Sequence, residues 1–277
     1  MADFPLISVI ITTKNEEKHI KACFDSILEQ TYPIDKIEII VVDNFSKDKT
    51  ESIIKEYKLK NKNIYFFQKG PERSAQRNFG ARKAKGKYYI YLDADMILSK
   101  NVIEEGQKKI EKDNLIALYI PEIVLGNSFW SKVRSFERQF YNGTVIDCVR
   151  FVLLDTFKKV NGFDEKLTGP EDWDFDKKIR SIGQTGIIKS PLYHNEAEFI
   201  FKKYLSKKKY YIKSFKTYIN KWGKNDPDIK KQFSPFYRMF FVFIEKGKWK
   251  RLITNPILTL GMYSLRFFVG INFLINR

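Results

Sequence analysis

The sequence has only two cysteines and two histidines among its 277 residues. Cys23 falls in a predicted helix and Cys148 in an apolar run, and neither has Cys or His neighbours at zinc-site spacing. This excludes a disulfide-stapled domain and a structural zinc module, and it indicates a reducing compartment. The first five residues lack the basic and apolar regions of a signal peptide, so we expect the catalytic part in the cytoplasm.

Glycine and proline are also scarce, with 14 and 9 residues, and the sequence has no internal repeat or low-complexity block. These scarcities exclude fibrous and disordered chains. The hydrophobic content of 43% is enough to build a buried core in a chain of this length. We therefore expect one large folded domain, with or without an appendage.

The net charge of +17 is distributed unevenly. Residues 196–277 contain 18 of the 50 basic residues but only 5 of the 33 acidic ones, which gives this segment +13 and leaves +4 for residues 1–195. The first two thirds are thus nearly balanced, and any anionic partner is expected to bind the C-terminal part.

Apolar runs alternate with segments of helical periodicity through the first hundred residues. Buried strands are predicted at residues 6–12, 37–42, 64–68 and 88–92, with helices between them at 16–30, 49–60 and 74–85. This alternation predicts an α/β fold with a mostly parallel, twisted sheet flanked by helices. Ligands of such sheets bind beyond the carboxyl ends of the strands, which are followed here by the polar segments 12–16, 43–46, 69–77 and 93–96.

The later part of the chain continues with mixed elements. Helices are predicted at residues 101–112, 129–141, 155–160 and 171–181, and extended segments at 115–124, 145–154 and 186–193. We divide the chain into a catalytic domain, residues 1–198, and a helical extension, residues 199–277. Within the catalytic domain, the donor half covers about residues 1–98 and the acceptor half about residues 99–198.

Asp93 and Asp95 flank one alanine directly after the fourth strand. Two carboxylates at alternate positions can converge on one hard cation, Mg²⁺ or Mn²⁺, with pyrophosphate oxygens completing its shell. Such a cation would neutralise a leaving nucleoside diphosphate. His194, which follows a strand-like segment, is a candidate third ligand, although an incidental polar contact explains it equally well.

Glu171 and Asp172 open a predicted helix, and Trp173 follows them. Carboxylates also favour this end of a helix simply because of the helix dipole. A carboxylate held beside another one could instead take a proton from an acceptor hydroxyl. The indole of Trp173 could form the apolar wall of an acceptor-sugar site.

Arg73 and Arg77 lie four residues apart on one face of a predicted helix. Their forked guanidinium groups suit the oxygens of a diphosphate, although arginines on surface helices are common. The segment contains no G-x-G-x-x-G fingerprint, which argues against a Rossmann dehydrogenase.

These motifs, taken in order, resemble the family 2 glycosyltransferases, which have the GT-A fold and use nucleotide-sugar donors. The resemblance covers roughly residues 5–195 and rests on the segments VIITTKNEE (9–17), VVDNFSKDKT (41–50), RSAQRNFG (73–80), DAD (93–95), NGFDE (161–165) and EDWD (171–174). It is specific for the family but not for a sugar.

The resemblance implies a role for each motif. On the donor side, it implies a nucleotide pocket shaped by Thr12, Asn15 and Glu16, a base contact from Asp43, a ribose contact from Asp93 and a metal contact from Asp95. On the acceptor side, it implies that Asp172 is the general base of an inverting displacement and that Glu171 supports it.

Two positions depart from the family pattern on the nucleotide side. Thr13 and Lys14 stand where many members have Pro-x-Tyr or Thr-x-Asn, and Phe45 stands where glycine is usual nearby. These departures leave open whether the donor base is uracil or guanine.

The C-terminal segment combines basic and aromatic residues. Residues 199–224 interleave nine lysines with aromatic side chains, a composition that suits the boundary between water and anionic lipid. Residues 256–275 are long enough to span a bilayer, but Arg266 near their middle favours a helix lying in the membrane surface. We expect a peripheral or monotopic enzyme on the cytoplasmic side of the membrane, with a lipid-linked or membrane-proximal glycan or a polyprenyl phosphate as acceptor.

Three other interpretations compete with this one. The C-terminal helices could pack on the catalytic domain or form a dimer in a soluble transferase with a non-lipid acceptor. A nucleic-acid-binding protein would explain the charge, but the acidic strand ends would repel phosphates, so we expect no nucleic-acid partner. A sugar nucleotidyltransferase would be expected to carry a glycine-rich basic loop after the first strand, where this chain has TTKNE at residues 12–16.

Overall fold

Four parallel strands form the centre of the protein. The computed structural model describes residues 4–195, 200–202, 204–206 and 212–275. The central strands are β1 (Ile7–Thr13), β2 (Ile37–Asp43), β3 (Ile64–Gln68) and β4 (Tyr88–Asp93). Every residue of β1 and β2 is buried, as expected for parallel strands covered by helices on both faces.

The helices after β1 and β2 cover one face of the sheet, and the helix after β3 covers the other. On the first face, α1 (Ile20–Leu28) and α2 (Thr50–Lys60) pack against the odd-numbered side chains of β1, such as Val9. On the second face, α3 (Arg73–Lys83) packs against Ile10. The predicted α/β architecture with a mostly parallel sheet is confirmed.

The second half of the catalytic region extends this sheet and adds a small one. Its elements are β5 (Met96–Leu98), α4 (Val102–Asp113), β6 (Ala117–Tyr119), β7 (Glu122–Val124), α5 (Phe129–Gln139), β8 (Phe151–Leu153), α6 (Leu154–Lys159), α7 (Glu171–Arg180), β9 (Thr185–Ile187) and β10 (Leu192–His194). The large sheet has the order β3-β2-β1-β4-β8-β6-β9, and the small one has the order β5-β10-β7. Strand β8 runs antiparallel to both β4 and β6.

Two predicted elements are much shorter in the structure, for identifiable reasons. The helix predicted from residue 16 begins at Ile20, after a turn at residues 17–19 that is tied to the following loop where the N–H of Glu16 donates to Thr50 Oγ1. The strand predicted at residues 145–154 is only Phe151–Leu153. Before it the chain turns on itself, since the side chain of Asp147 accepts from the N–H of Gly143.

The C-terminal segment is helical, as predicted, but it packs on the catalytic region. Its α-helices are α8 (Phe215–Trp222), α9 (Pro227–Phe233), α10 (Val242–Ile244), α11 (Trp249–Thr254) and α12 (Pro256–Ile275), with a π-helical stretch at Tyr237–Phe241. Single 3₁₀ turns lie at Ile34–Lys36, Ile212–Ser214 and Glu245–Gly247. Buried residues of α5 and α12, such as Val133 and Met262, share one hydrophobic cluster.

Arg266 anchors α12 to α5. Its Nη1 lies 2.6 Å from Glu137 Oε1 and 2.6 Å from the Tyr141 hydroxyl. The Arg266 face of this helix therefore packs on α5, as in the alternative interpretation in which the C-terminal helices pack on the catalytic domain. No helix in the described ranges combines the length and apolar composition needed to cross a membrane.

The packing of α4 on the sheet gives a direct test of the fold. A Cβ at Gly106 would overlap the ring of Phe151, which is completely buried. We expect Gly106→Ala to lower the free energy of unfolding by about 1–3 kcal/mol, because overpacking outweighs the better helix propensity of alanine.

Gly270 provides the matched control, since a Cβ there meets nothing within 4 Å. Gly270→Ala should leave the stability unchanged or raise it by up to about 1 kcal/mol. Urea denaturation of the two variants measures both effects. A Gly106→Ala variant as stable as the wild type would contradict this account of the packing.

Candidate active site

The register of the central strands brings their polar ends into one row. Thr13 pairs with Asp43, Asp43 with Gln68, and Thr12 with Asp93. The hydroxyl of Thr12 donates to Asp93 Oδ1 over 2.8 Å. As predicted, the carboxyl ends of the strands form a single polar edge, and the candidate site lies there.

The loops after β1 and β2 are held together by hydrogen bonds. The N–H of Asn15 donates to Ser46 Oγ over 2.8 Å, and Asn15 Oδ1 accepts from the N–H of Lys47 over 2.8 Å. Burial raises the pKa of Glu16, and the nearby carboxylates of Asp95 and Asp93 raise it further against the lowering effect of His19. Asn15 and Glu16 thus line the polar edge, as their predicted donor role requires.

Asp43 is occupied within its own loop. Its side chain is completely buried, Oδ2 accepts from the N–H of Ser46 over 2.9 Å, and Oδ1 accepts from the Ser46 hydroxyl over 2.5 Å. The predicted contact between Asp43 and the donor base is therefore not available in this structure. Asp43 shapes the β2 loop instead.

Arg77 is the most buried cation of the site. Its side chain has no solvent exposure, Nη2 donates to Asp93 Oδ1 over 3.0 Å, and Nη1 donates to Asp172 Oδ1 over 2.8 Å. The guanidinium also lies 4.6 Å from the ring centre of Tyr91 and 5.0 Å from that of Phe163. The prediction that Arg77 bridges diphosphate oxygens is corrected, because this guanidinium is enclosed and joins two carboxylates.

Arg77 also controls the charge of Asp93. Burial alone would raise the pKa of Asp93, but Arg77, Arg73 and Arg150 outweigh burial and hold that pKa well below its usual range. Asp93 therefore stays ionised at neutral pH.

Arg73 lies nearer to the solvent than Arg77. Its side chain is 35% exposed, and its two terminal nitrogens lie 3.1 Å from Glu171 Oε1 and 3.5 Å from Asp93 Oδ2. This places a partly solvated cation at the polar edge, where the predicted contact with donor phosphates remains geometrically open.

Glu171 and Asp172 have different surroundings although they are adjacent in α7. Burial raises the pKa of Glu171, and the neighbouring Asp172 raises it further, against the lowering effects of Arg73 and Arg77. The side chain of Asp172 is 28% exposed and accepts from Arg77. Asp172 is thus the more exposed member of the pair.

Trp173 packs toward the C-terminal helices. Its ring stacks on Phe215 at 6.0 Å between centres, and its Nε1 donates to the carbonyl of Ile146 over 3.0 Å. Through these contacts, the Trp173 side chain packs α7 against the C-terminal helices. Trp173 is only partly buried, and its role as an acceptor wall stays a prediction.

His194 lies between two carboxylates. Its Nε2 is 3.1 Å from Asp95 Oδ2, and its Nδ1 is 3.1 Å from Glu122 Oε1. Burial would lower its pKa, but the hydrogen bonds to Asp95 and Glu122 outweigh burial and raise the pKa of His194 to about 10. His194 therefore contacts the side chain that is predicted to bind the metal, and its own role as a third ligand stays a prediction.

Asp95 is the side chain that fits a divalent cation best. Its Oδ1 is buried and has no hydrogen-bond partner, although the other oxygen is bound to His194. Asp93 is engaged by Thr12 and both arginines, and no group of three or more acidic, His or Cys side chains that could hold a metal occurs among the described residues. Donor diphosphate oxygens would complete the shell of a cation held at Asp95.

One supporting residue was not identified from the sequence. Glu122 accepts from Arg138 over 3.1 Å as well as contacting His194. Burial would raise the pKa of Glu122, but Arg138 and His194 lower it well below its usual value. The available signal was a lone carboxylate within a predicted extended, mostly apolar segment.

Known proteins share these motifs. Residues 8–164 match the family model described as Glycosyl transferase family 2. An uncharacterized glycosyltransferase from Methanocaldococcus jannaschii is 34% identical over 187 residues, which cover 62% of this chain and 64% of that protein. The minor teichoic acid biosynthesis protein GgaB from Bacillus subtilis is 28% identical over 265 residues, which cover 90% of this chain and 29% of that protein.

The fold also has solved counterparts. A mannosyltransferase from Pyrobaculum calidifontis, solved with GDP-Man and Mn²⁺, superposes with a TM-score of 0.66 at 17% identity, covering 98% of this chain and 84% of that one. The chain spans less than two thirds of the length of these two curated relatives. The expected resemblance is confirmed: the chain belongs to glycosyl transferase family 2 and has a GT-A type fold.

Proposed function

We propose that this enzyme transfers a sugar from a nucleotide-sugar donor to an acceptor hydroxyl with inversion, and that Asp172 is the general base. The observation that carries the proposal is the buried bridge from Asp93 through Arg77 to Asp172. This bridge holds the carboxylate of Asp172, on the acceptor side, at a set distance from the end of β4, on the donor side. Reacting groups held in this way need little reorganisation before reaction.

The side chains at the site divide the reaction between them. The acceptor oxygen attacks the anomeric carbon as the bond from that carbon to the diphosphate oxygen breaks, and Asp172 takes the acceptor proton. Arg73, at the solvent-facing side, can donate to the diphosphate. Glu171 is held by Arg73 and positions the start of α7.

A divalent cation, Mn²⁺ or Mg²⁺, fits the free oxygen of Asp95 and would supply positive charge to the leaving diphosphate. The Mn²⁺ and GDP-Man in the Pyrobaculum mannosyltransferase support this assignment. We leave the base open between UDP- and GDP-linked donors.

The C-terminal helices support a membrane-proximal acceptor, such as a lipid-linked glycan or a polyprenyl phosphate. We define the apolar face as the exposed large hydrophobic side chains of residues 236–271, which are Phe236, Phe240, Phe241, Ile244, Trp249, Ile253, Ile257, Leu260, Phe267, Phe268 and Ile271. On α12 these positions lie on the side opposite to Met262 and Leu265, which pack on α5. Exposed Lys246 and Lys250 border this face, so it combines apolar and basic groups as a peripheral membrane surface does.

We therefore propose peripheral attachment to the cytoplasmic side of a membrane. The similarity to a teichoic acid biosynthesis protein supports a glycan acceptor near such a surface.

Asp172→Asn tests the assignment of the base. We expect sugar transfer to fall by about 10²- to 10⁴-fold, because proton removal is lost, whereas the affinity for the nucleoside diphosphate stays close to that of wild type. Turnover is measured with a donor identified by thermal-shift screening of UDP- and GDP-sugars with Mn²⁺. Asp155→Asn is the matched control, since Asp155 is an exposed aspartate in the first turn of α6. Near wild-type turnover by Asp172→Asn would refute the assignment.

Arg77→Met tests the buried bridge. Removing the buried cation that bonds both Asp93 and Asp172 leaves these carboxylates without their shared partner, so the free energy of unfolding should fall by roughly 3 kcal/mol. Arg73→Met, on the same helix but partly exposed, should cost much less. Urea denaturation compares the two variants. Equal losses would mean that Arg77 does not hold the two sides of the site together.

A triple variant, Ile257→Ser with Leu260→Ser and Phe267→Ser, tests the apolar face. Wild type should float with vesicles that contain anionic lipid, and the triple variant should not, because three exposed apolar side chains are removed. Leu59→Ser is the control, since Leu59 is 88% exposed on α2. Equal flotation of the triple variant and wild type would disprove membrane docking. Light scattering without vesicles covers the alternative. If the wild type is a dimer there and the triple variant is a monomer, the face binds a second copy of the chain instead.

A further inference from the structure

We infer that Phe45 is the surface on which the base of the nucleotide donor stacks. This inference rests on the proposed use of a nucleotide-sugar and goes beyond it by assigning the base contact to one residue. Phe45 lies in the loop after β2, at the same polar edge as Asp93 and Asp95. Its ring is 55% exposed.

The exposure of Phe45 contrasts with the other rings near the site. Tyr91 and Phe163 lie beneath the guanidinium of Arg77 and are buried. More than half of the Phe45 side chain is exposed, and a large apolar side chain left in water at a ligand-binding edge is stabilised when a flat apolar group covers it.

The backbone at Phe45 is held in a conformation that a bulky residue rarely adopts. Its φ is +51°, in the left-handed region that favours glycine or asparagine. Both neighbours are fixed: the N–H of Asn44 donates to the Thr13 carbonyl over 2.8 Å, and the N–H of Ser46 donates to Asp43 over 2.9 Å. The loop thus presents an aromatic ring at a position where folding would favour a smaller residue.

The loop after β3 supports the ring from the side. A Cβ added at Gly70 would lie 3.7 Å from Phe45 Cε2 and 2.7 Å from Asn44 Oδ1. The amide of Asn44 also donates to the carbonyl of Pro71 over 2.5 Å. The loop after β3 thus lies beside the edge of the Phe45 ring and is hydrogen-bonded to the neighbouring Asn44, so the backbone that carries the ring is held before any ligand binds.

Asp43, the residue predicted to contact the base, is buried and bonded to Ser46 in this structure. Stacking on Phe45 needs no particular pattern of donors and acceptors, because every base has a π face. The ring should therefore contribute affinity for UDP and GDP alike, while discrimination between them depends on polar groups elsewhere.

Calorimetric titration of UDP, GDP and inorganic pyrophosphate in the presence of Mn²⁺ tests the inference. Phe45→Gly and Phe45→Asn should weaken binding of the preferred nucleoside diphosphate roughly ten-fold or more. Phe45→Trp should keep it, and pyrophosphate, which has no base, should bind all variants equally. Both small variants should also melt at or above the wild-type temperature, because glycine and asparagine tolerate the positive φ.

Tyr65→Ala is the control, since it removes another exposed ring from the start of β3, at the opposite end of that strand from the polar edge. Unchanged nucleotide affinity in folded Phe45→Gly and Phe45→Asn, with wild type binding normally, would overturn the inference alone. A wild-type protein that binds neither UDP nor GDP would overturn the proposed function as well. Equal weakening by Tyr65→Ala would also count against a specific role for Phe45.

Discussion

The enclosed guanidinium of Arg77 is the constraint on which the candidate site depends. A cation without access to water must be surrounded by negative charge and hydrogen-bond acceptors, or the fold loses several kcal/mol. Here Asp93 and Asp172 provide the charge, and the faces of Tyr91 and Phe163 enclose the remainder. Since Asp93 ends β4 and Asp172 begins α7, the same ion pairs join the donor-side sheet to the acceptor-side helix.

The C-terminal helices take part in this arrangement because they pack on α5 and α7. Trp173, next to Asp172, lies against Phe215 and Phe233, and Lys177 of α7 donates to Asp226 over 2.6 Å. The apolar face therefore has a fixed position relative to the proposed base. If the face rests on a lipid surface, the height of the site above that surface is set by the fold, which suits an acceptor held at a constant distance from the membrane.

The sequence predicted the parallel strands and their polar ends well, because β-branched runs and helical periodicity are local properties. It also identified Arg73, Arg77, Asp93, Asp95 and Asp172 as a set. The sequence could not predict which side chain pairs with each charged group. Arg73 and Arg77 are the same residue type on the same face of α3, so the sequence does not distinguish them. Tertiary packing against Phe163 and Asp172 buries Arg77 and leaves Arg73 partly solvated. Likewise, the role of His194 depends on Glu122, which lies 72 positions earlier in the chain.

The same limitation explains the C-terminal charge. From composition alone, the net charge of +13 over residues 196–277 suggests a surface covered with cations. In the structure, Arg266 turns inward to Glu137 and Tyr141, and Arg238 lies over the rings of Tyr141 and Trp173. Part of the basic charge thus stabilises the joint between the last helices and α5. The charge left to attract an anionic surface comes from exposed groups such as Lys246 and Lys250, so the attraction is weaker than the net charge implies, and apolar contact has to supply much of any binding to a membrane.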